Sequence, residues 1–235
     1  MNSSKKFDIV VYGATGFTGR LVAEYLAAHY KDDKALKWAM AGRSLDKLKS
    51  VRDEIGAPAD TPLVVADAAD PASLKAMVDD TKSVITTVGP YQNYGNELLA
   101  ACVTCGVDYF DLCGEPVWMH QMIGKHEAAA QASGARIMFS CGYDSVPFEL
   151  GTFFVQTEAK RVFGAPAARV KGRVRDMRGT LSGGTAASGR ATFEAVAKDL
   201  SLVQILNNHF SLTPGFEGPK QPKGNKPLYE EDLQS

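Results

Sequence analysis

Six short apolar runs punctuate the first two thirds of the chain. Phe7 to Tyr12, Leu36 to Ala41, Pro62 to Asp67, Ser83 to Val88, Val107 to Asp111 and Arg136 to Ser140 are rich in β-branched, aromatic or continuous apolar residues. Such runs suit strands buried on both faces. Stretches of helical periodicity separate them. Leu21, Val22, Tyr25 and Leu26 mark a helix from Phe17 to about His29, and Ser44 is placed to cap a helix over Leu45 to Ile55. Asp70-Pro71 supplies an N-cap and a first-turn proline for a helix through Val78. Two more helices follow, Tyr94 to Cys105 and Val117 to Ser133, the second with Met119, Met122 and Ile123 on its inner side. Strand and helix thus alternate six times, which predicts an α/β fold with a doubly wound parallel sheet over residues 1–147.

Beyond Pro147 the pattern changes. Phe148 to Phe163 reads as a helix that Gly164-Ala165-Pro166 breaks. Arg169, Lys171, Arg173 and Arg175 then alternate with Val170, Gly172, Val174 and Asp176, a strand with one basic face. That face is read either as the solvated side of an antiparallel sheet or as a surface for an anionic acyl carrier. A second glycine-rich turn, Thr180 to Gly189, enters a helix carried on by Phe193, Val196, Ala197, Leu200 and Val203. These elements predict the beginning of a second α+β domain for substrate or dimerisation over 148–210. Proline, glycine and lysine dominate 211–235, as expected of a mobile tail.

The chemistry begins at Gly13-Ala14-Thr15-Gly16-Phe17-Thr18-Gly19, between the first strand and the first helix. Gly13 lets the chain turn off the strand, Gly16 lets backbone amides approach a pyrophosphate, and Gly19 lets helix and sheet pack closely. The helix N-terminus offers amides and dipole to the anion, with Thr15, Phe17 and Thr18 beside it. The spacing is G-x-x-G-x-x-G, a variant of the dinucleotide fingerprint, and the strand before and helix after supply the context that separates it from an ordinary glycine-rich turn.

The end of the second strand selects the cofactor. An NAD site places a carboxylate there, whereas this chain has Gly42-Arg43-Ser44 and no acid before Asp46. A guanidinium with a neighbouring hydroxyl suits a 2′-phosphate, which favours NADP. Asp67 ends the third strand where a polar group faces the adenine. Gly89-Pro90-Tyr91 turns abruptly after the fourth strand at the switch point, where backbone passes the nicotinamide ribose. Tyr91 either reaches the reacting centre from this loop or packs as a lid. Gly114 lies in the turn Leu112 to Pro116 after the fifth strand.

Composition narrows the class. The formal net charge of the 235-residue chain is -1, which gives no electrostatic case for nucleic acid. Met1 to Lys6 leads into the first strand without a signal-like apolar region, so a cytoplasmic setting is expected. The four cysteines suit reduced thiols, with Cys102 and Cys105 on the apolar face of one helix rather than in a zinc site.

Five motifs make a family resemblance specific: Gly13 to Gly19, Ala41 to Ser44, Val88 to Tyr91, Asp111 to Glu115, and Gly142-Tyr143-Asp144-Ser145-Val146-Pro147. Together they resemble the saccharopine dehydrogenase-like oxidoreductases, a family with a trans-acting enoyl reductase branch, over roughly residues 7 to 200. The resemblance implies a Rossmann sheet holding NADP at the first motif and Arg43, and a substrate or nicotinamide pocket lined by the later motifs. Gly184, Thr185 and Ser188 resemble the family's Gly-Thr-x-x-Ser segment, while family members carry more chain in the second domain. The reading is an NADP-dependent reductase passing hydride to a C=C, C=O or C=N bond of a small or lipid-type acyl substrate. Tyr91, Tyr143 and Asp144 are its candidate proton donors, with Cys141 and Ser145 lining the substrate. Peripheral contact with lipid or an acyl carrier and a homodimer are its candidate assemblies. Short-chain dehydrogenases and nucleotide-sugar epimerases share the glycine spacing but use a Tyr-x-x-x-Lys pair, and that reading is disfavoured. The remaining alternative is a non-catalytic NADP sensor or scaffold.

Overall fold

The computed structural model describes residues 5–219, so the expectations that fall on 1–4 and on 220–235 of the tail lie outside the described residues. Six strands, β1 (Phe7–Tyr12), β2 (Trp38–Gly42), β3 (Leu63–Val65), β4 (Thr81–Thr86), β5 (Asp108–Asp111) and β6 (Ile137–Met138), form one sheet in the order β3-β2-β1-β4-β5-β6. Every pairing is parallel, with Val10 between Ala39 and Val84 and Val11 between Met40 and Ile85. The doubly wound expectation holds. The chain steps outward from β1 to β3 and then returns to β4, which opens a crevice at the carboxyl ends of β1 and β4.

Strand alternation feeds two helical layers. Val11 and Met40 pack with α1 (Phe17–Tyr30) and α2 (Leu45–Glu54) through Ala23, Leu26, Leu48 and Val51. Val10, Tyr12, Val84 and Tyr109 face α3 (Pro71–Asp79), α5 (Asn96–Cys105) and α6 (Pro116–Ser133), where Leu74, Leu98, Trp118, Met119 and Met122 complete the larger core. Cys102 is fully buried there, but Cys105 lies at the rim, its thiol donating to Asp79 Oδ1 at 3.3 Å.

Three expectations change. The helix expected from Tyr94 starts earlier, as the short α4 (Tyr91–Tyr94), and is separated from α5 at Gly95. A Cβ on Gly95 would stand 2.7 Å from Trp118 Cζ2, so the ring fixes the break. The basic stretch 169–176 forms no strand: among the described residues no ladder pairs with it, and an isolated strand leaves its backbone groups unmet. The second region is accordingly helical as described, with α7 (Val146–Phe163), α8 (Gly183–Lys198) and α9 (Leu202–Asn207). The apolar run from Phe193 to Val203 divides at Asp199, and Phe193 points outward.

Leu48 is fully buried and its Cδ2 lies 3.7 Å from where a Gly42 Cβ would be, so it props the end of β2 as well as filling core. Leu48→Ala is expected to lower stability by about 2–5 kcal/mol in denaturant titration. Phe153→Ser, on the exposed surface of α7, is expected to stay within about 0.5 kcal/mol of the parent.

Candidate dinucleotide site

The turn after β1 is built by contact. Gly13 has φ +88°, and its amide and that of Ala14 donate to Ala41 O at 2.9 and 3.1 Å, tying the turn to β2. A Cβ on Gly19 would stand 2.1 Å from Gly13 O; one on Gly13 would meet Val88 Cγ2 at 2.7 Å and Thr87 Oγ1 at 2.8 Å. Gly16 is exposed and serves as the N-cap of α1 without a side chain, and the first turn carries no acid. Its amides and dipole are thereby directed at an external anion, with Phe17 exposed and Thr18 half-buried beside it.

Toward β2 and β3 stand the groups expected at the adenosine. Arg43 is exposed just past β2, and Ser44 caps α2 by accepting from Lys47 N at 3.4 Å. Thr15 lies across from Gly42, whose Cβ would be 3.8 Å from Thr15 Oγ1. Asp67 accepts from Ala69 N at 3.0 Å, its side chain held by its own loop. Beneath them is Tyr12, not singled out from sequence, whose phenol burial pushes up to about 12; Asp67 raises it further and Arg43 opposes. A tyrosine as the last residue before the glycine turn was the available signal.

On the other side, two buried carboxylates organise the loops after β4, β5 and β6. Glu115, 1% exposed, accepts from Tyr91 N at 2.8 Å, Gln92 N at 3.0 Å and Ser188 Oγ at 2.7 Å. Asp111 accepts through Oδ1 from Cys113 N at 3.0 Å and Ser140 N at 2.8 Å, and through Oδ2 from Tyr109 Oη at 3.0 Å. Burial raises the Asp111 carboxyl to about 6, with the three donors opposing and the Glu115 charge adding. Ser140 sits at φ +60° and its Oγ donates to Cys113 O at 2.7 Å. Both acids stood inside the Asp111 to Glu115 motif, but only Gly114 was singled out; it is exposed in the turn between them.

The candidate donors separate in space. Tyr91 is buried, its phenol turned inward to donate to Thr86 O at 3.2 Å and accept from Leu112 N at 3.4 Å, with Trp118 5.5 Å away ring to ring. Burial, then the Asp111 charge, drive its pKa far above the ordinary phenol value. Tyr143 and Asp144 are exposed past β6, where Tyr143 meets Phe148 edge-on. Cys141 and Ser145 are half-buried beside them, and burial raises the Cys141 thiol. Gly184 and Thr185 start α8, where Ser182 Oγ accepts from Thr185 N at 3.2 Å; one turn on, Ser188 reaches Glu115. The sequence does hold one Tyr-x-x-x-Lys spacing, Tyr30 to Lys34. It starts at the last residue of α1, at the end opposite the phosphate turn, so it has no place in the site. Among the described residues no cluster of His, Cys, Asp and Glu is arranged to hold a metal ion, and no helix is long and apolar enough to cross a membrane.

A parallel sheet with a glycine cradle at β1, a helix N-terminus open to an anion and an arginine at the end of β2 defines a dinucleotide-binding domain. The residues present fit NADP: the cradle admits no Cβ at Gly13 or Gly19, and an exposed arginine, Arg43, rather than a carboxylate follows β2. Residues 9–138 match the saccharopine dehydrogenase NADP binding domain, and the chain belongs to that family. A Mycobacterium tuberculosis protein provisionally named trans-acting enoyl reductase is 39% identical over 226 residues, covering 95% of this chain and 53% of that protein. The trans-acting enoyl reductase of Mycobacterium leprae is 48% identical over 150 residues, covering 63% and 35%. Apo saccharopine dehydrogenase (L-Glu forming) from Saccharomyces cerevisiae superposes with a TM-score of 0.49 at 17% identity, over 67% of this chain and 32% of that one. The chain spans about half the length of the first of these relatives. The cofactor of the domain is NADP.

Two outcomes follow. Arg43→Ala is expected to weaken NADPH binding by about tenfold to a hundredfold, the loss of charge-assisted bonds to a phosphate, and to leave NADH binding unchanged, as read by nucleotide fluorescence titration. For Asp111, a folded pKa near 6 against 3.8 unfolded means the folded state holds the proton more tightly. Its favourable contribution is complete below about pH 4 and is lost as pH rises through about 6. Asp111→Asn is therefore expected to gain stability relative to the parent as pH climbs from 4 to 6 in thermal melts, with a constant difference above that range.

Proposed function

We propose that this chain is an NADP-dependent reductase acting on an acyl substrate, with reduction of a C=C bond conjugated to a carbonyl as its reaction. One observation carries this reading: a cavity of about 730 Å³ opens beside Tyr143, walled by Phe148, Thr152 and Val155 of α7 and by Lys171, Arg173 and Arg175 of the basic stretch. An apolar wall facing a largely basic one, which also carries Asp176, suits an acyl chain with a polar head. The relatives' names, trans-acting enoyl reductase, support the acyl class.

NADPH supplies the hydride. The chain's part is to hold its own groups in register with the acceptor and to deliver a proton. Tyr143 is the donor of choice among the candidates, because it is exposed and lines the cavity. Tyr91 is assigned to packing, since its phenol is buried and already donating to Thr86 O. Asp144, Cys141 and Ser145 are near Tyr143 in sequence but do not line the cavity, so they are not assigned a part in the proton transfer.

Tyr143→Phe is expected to lower NADPH oxidation with trans-2-enoyl thioesters by about a hundredfold, within the usual range for a lost general acid, while leaving NADPH affinity unchanged. Activity with enoyl acceptors equal to that with keto and imino acceptors, or an unaffected Tyr143→Phe, would count against the assignment. NADPH binding with no acceptor reduced would favour a cofactor sensor instead.

A further inference from the structure

The carboxylate of Glu115 meets three elements at once. It lies at the N-terminal boundary of α6, immediately before Pro116, yet its oxygens turn away from that helix. Oε1 and Oε2 take the amides of Tyr91 and Gln92, the first two residues of α4, and Oε1 also takes the Ser188 hydroxyl from the middle of α8. A Cβ on Gly89 would lie 3.7 Å from Ser188 Oγ, so α8 rests directly over the Gly89–Tyr91 turn.

That turn borders the dinucleotide crevice. Val88, just before it, touches the phosphate turn at Gly13. With Arg43 and Asp67 setting the adenosine end on the β2 and β3 side, the nicotinamide half of the dinucleotide crosses the start of α1 toward β4. The backbone that receives it is the segment whose next two amides Glu115 holds. Without the carboxylate these donors lose their acceptor in a buried setting.

We infer that Glu115 is a positioning residue: it fixes the Gly89–Tyr91 loop for the nicotinamide half of the cofactor and, through Ser188, latches α8 across that loop. The inference rests on NADP lying along this edge and not on which bond is reduced, so a failed acceptor assay leaves it standing. Glutamine at 115 keeps the shape but replaces one accepting oxygen with a donor, which sets an N–H against an N–H. The adenosine-side groups, Arg43, Ser44 and the cradle, are untouched by the change.

The test compares two ligands on the full chain, NADPH and 2′,5′-ADP, which lacks the nicotinamide half. Glu115→Gln is expected to weaken NADPH binding at least about tenfold and to leave 2′,5′-ADP within about twofold. A purely structural role would reduce both alike, and equal losses, or unchanged NADPH affinity, overturn the proposal. Ser188→Ala leaves the loop amides held, so NADPH affinity is expected to stay within about twofold while amide hydrogen exchange in α8 rises. Unchanged exchange in α8 overturns the latch. Where Glu115→Gln does not fold, Glu115→Asp, which keeps the charge but shortens the reach to the loop amides, is read against the same two ligands with the same two outcomes.

Discussion

The contact between the carbonyl of Gly13 and the backbone of Gly19 sets the rest of this structure. At that approach even a methyl group has no room, so strand β1, the turn and helix α1 behave as one rigid corner. The corner is fixed from three sides. Ala41 O receives the turn's amides from β2, Thr87 and Val88 press on Gly13 from the end of β4, and the buried Ala23, Leu26 and Ala27 hold α1 to the sheet. Close packing of backbone against backbone leaves the helix N-terminus nowhere to move. An anion-binding site made of amides needs that fixity, because its donors cannot adjust as flexible side chains do.

Most of the parallel sheet was legible because its signals are local. Apolar runs of strand length, helical periodicity between them, and Ser44 and Asp70 as caps each act within a few residues, and the caps are where the hydroxyl and carboxylate were expected. The shape of the glycine turn was legible for the same reason, since a glycine spacing between a strand and a helix carries its geometry in context. The resemblance to saccharopine dehydrogenase-like proteins added the later motifs and their order.

What was not legible depends on contacts distant in sequence. Glu115 closes the Asp111 to Glu115 motif with no role of its own until the fold brings Tyr91 and Ser188 to it across 24 and 73 positions. Asp111 reads as a strand-end acid until Ser140 closes on it from β6. Tyr91 was equally readable as a reacting group or a packed one, and only its burial against Trp118 with an inward hydroxyl separates the two. The basic alternation over 169–176 illustrates the opposite error, since alternation alone does not make a strand. A strand is completed by a partner's backbone, and none among the described residues supplies it.

The two regions of the molecule are therefore held by different physics. The glycine corner is held by the sheet itself, between the fully buried β2 and the end of β4 that presses on Gly13. The region of α7 and α8 is held by polar contacts at the sheet's edge. Of the eighteen residues in α7, Ala159 alone is buried, while Phe153, Phe154 and Phe163 are largely exposed. In α8 none is buried, and its Ser188 hydroxyl bond to Glu115 reaches back to the rigid part of the molecule. Hydrophobic burial is insensitive to small displacements, whereas a hydrogen bond to a buried carboxylate is directional and lost within a fraction of an ångström. A bond of that kind fixes where α8 lies without contributing much to whether the domain folds. That division lets what α7 and α8 present change while the glycine turn stays undisturbed.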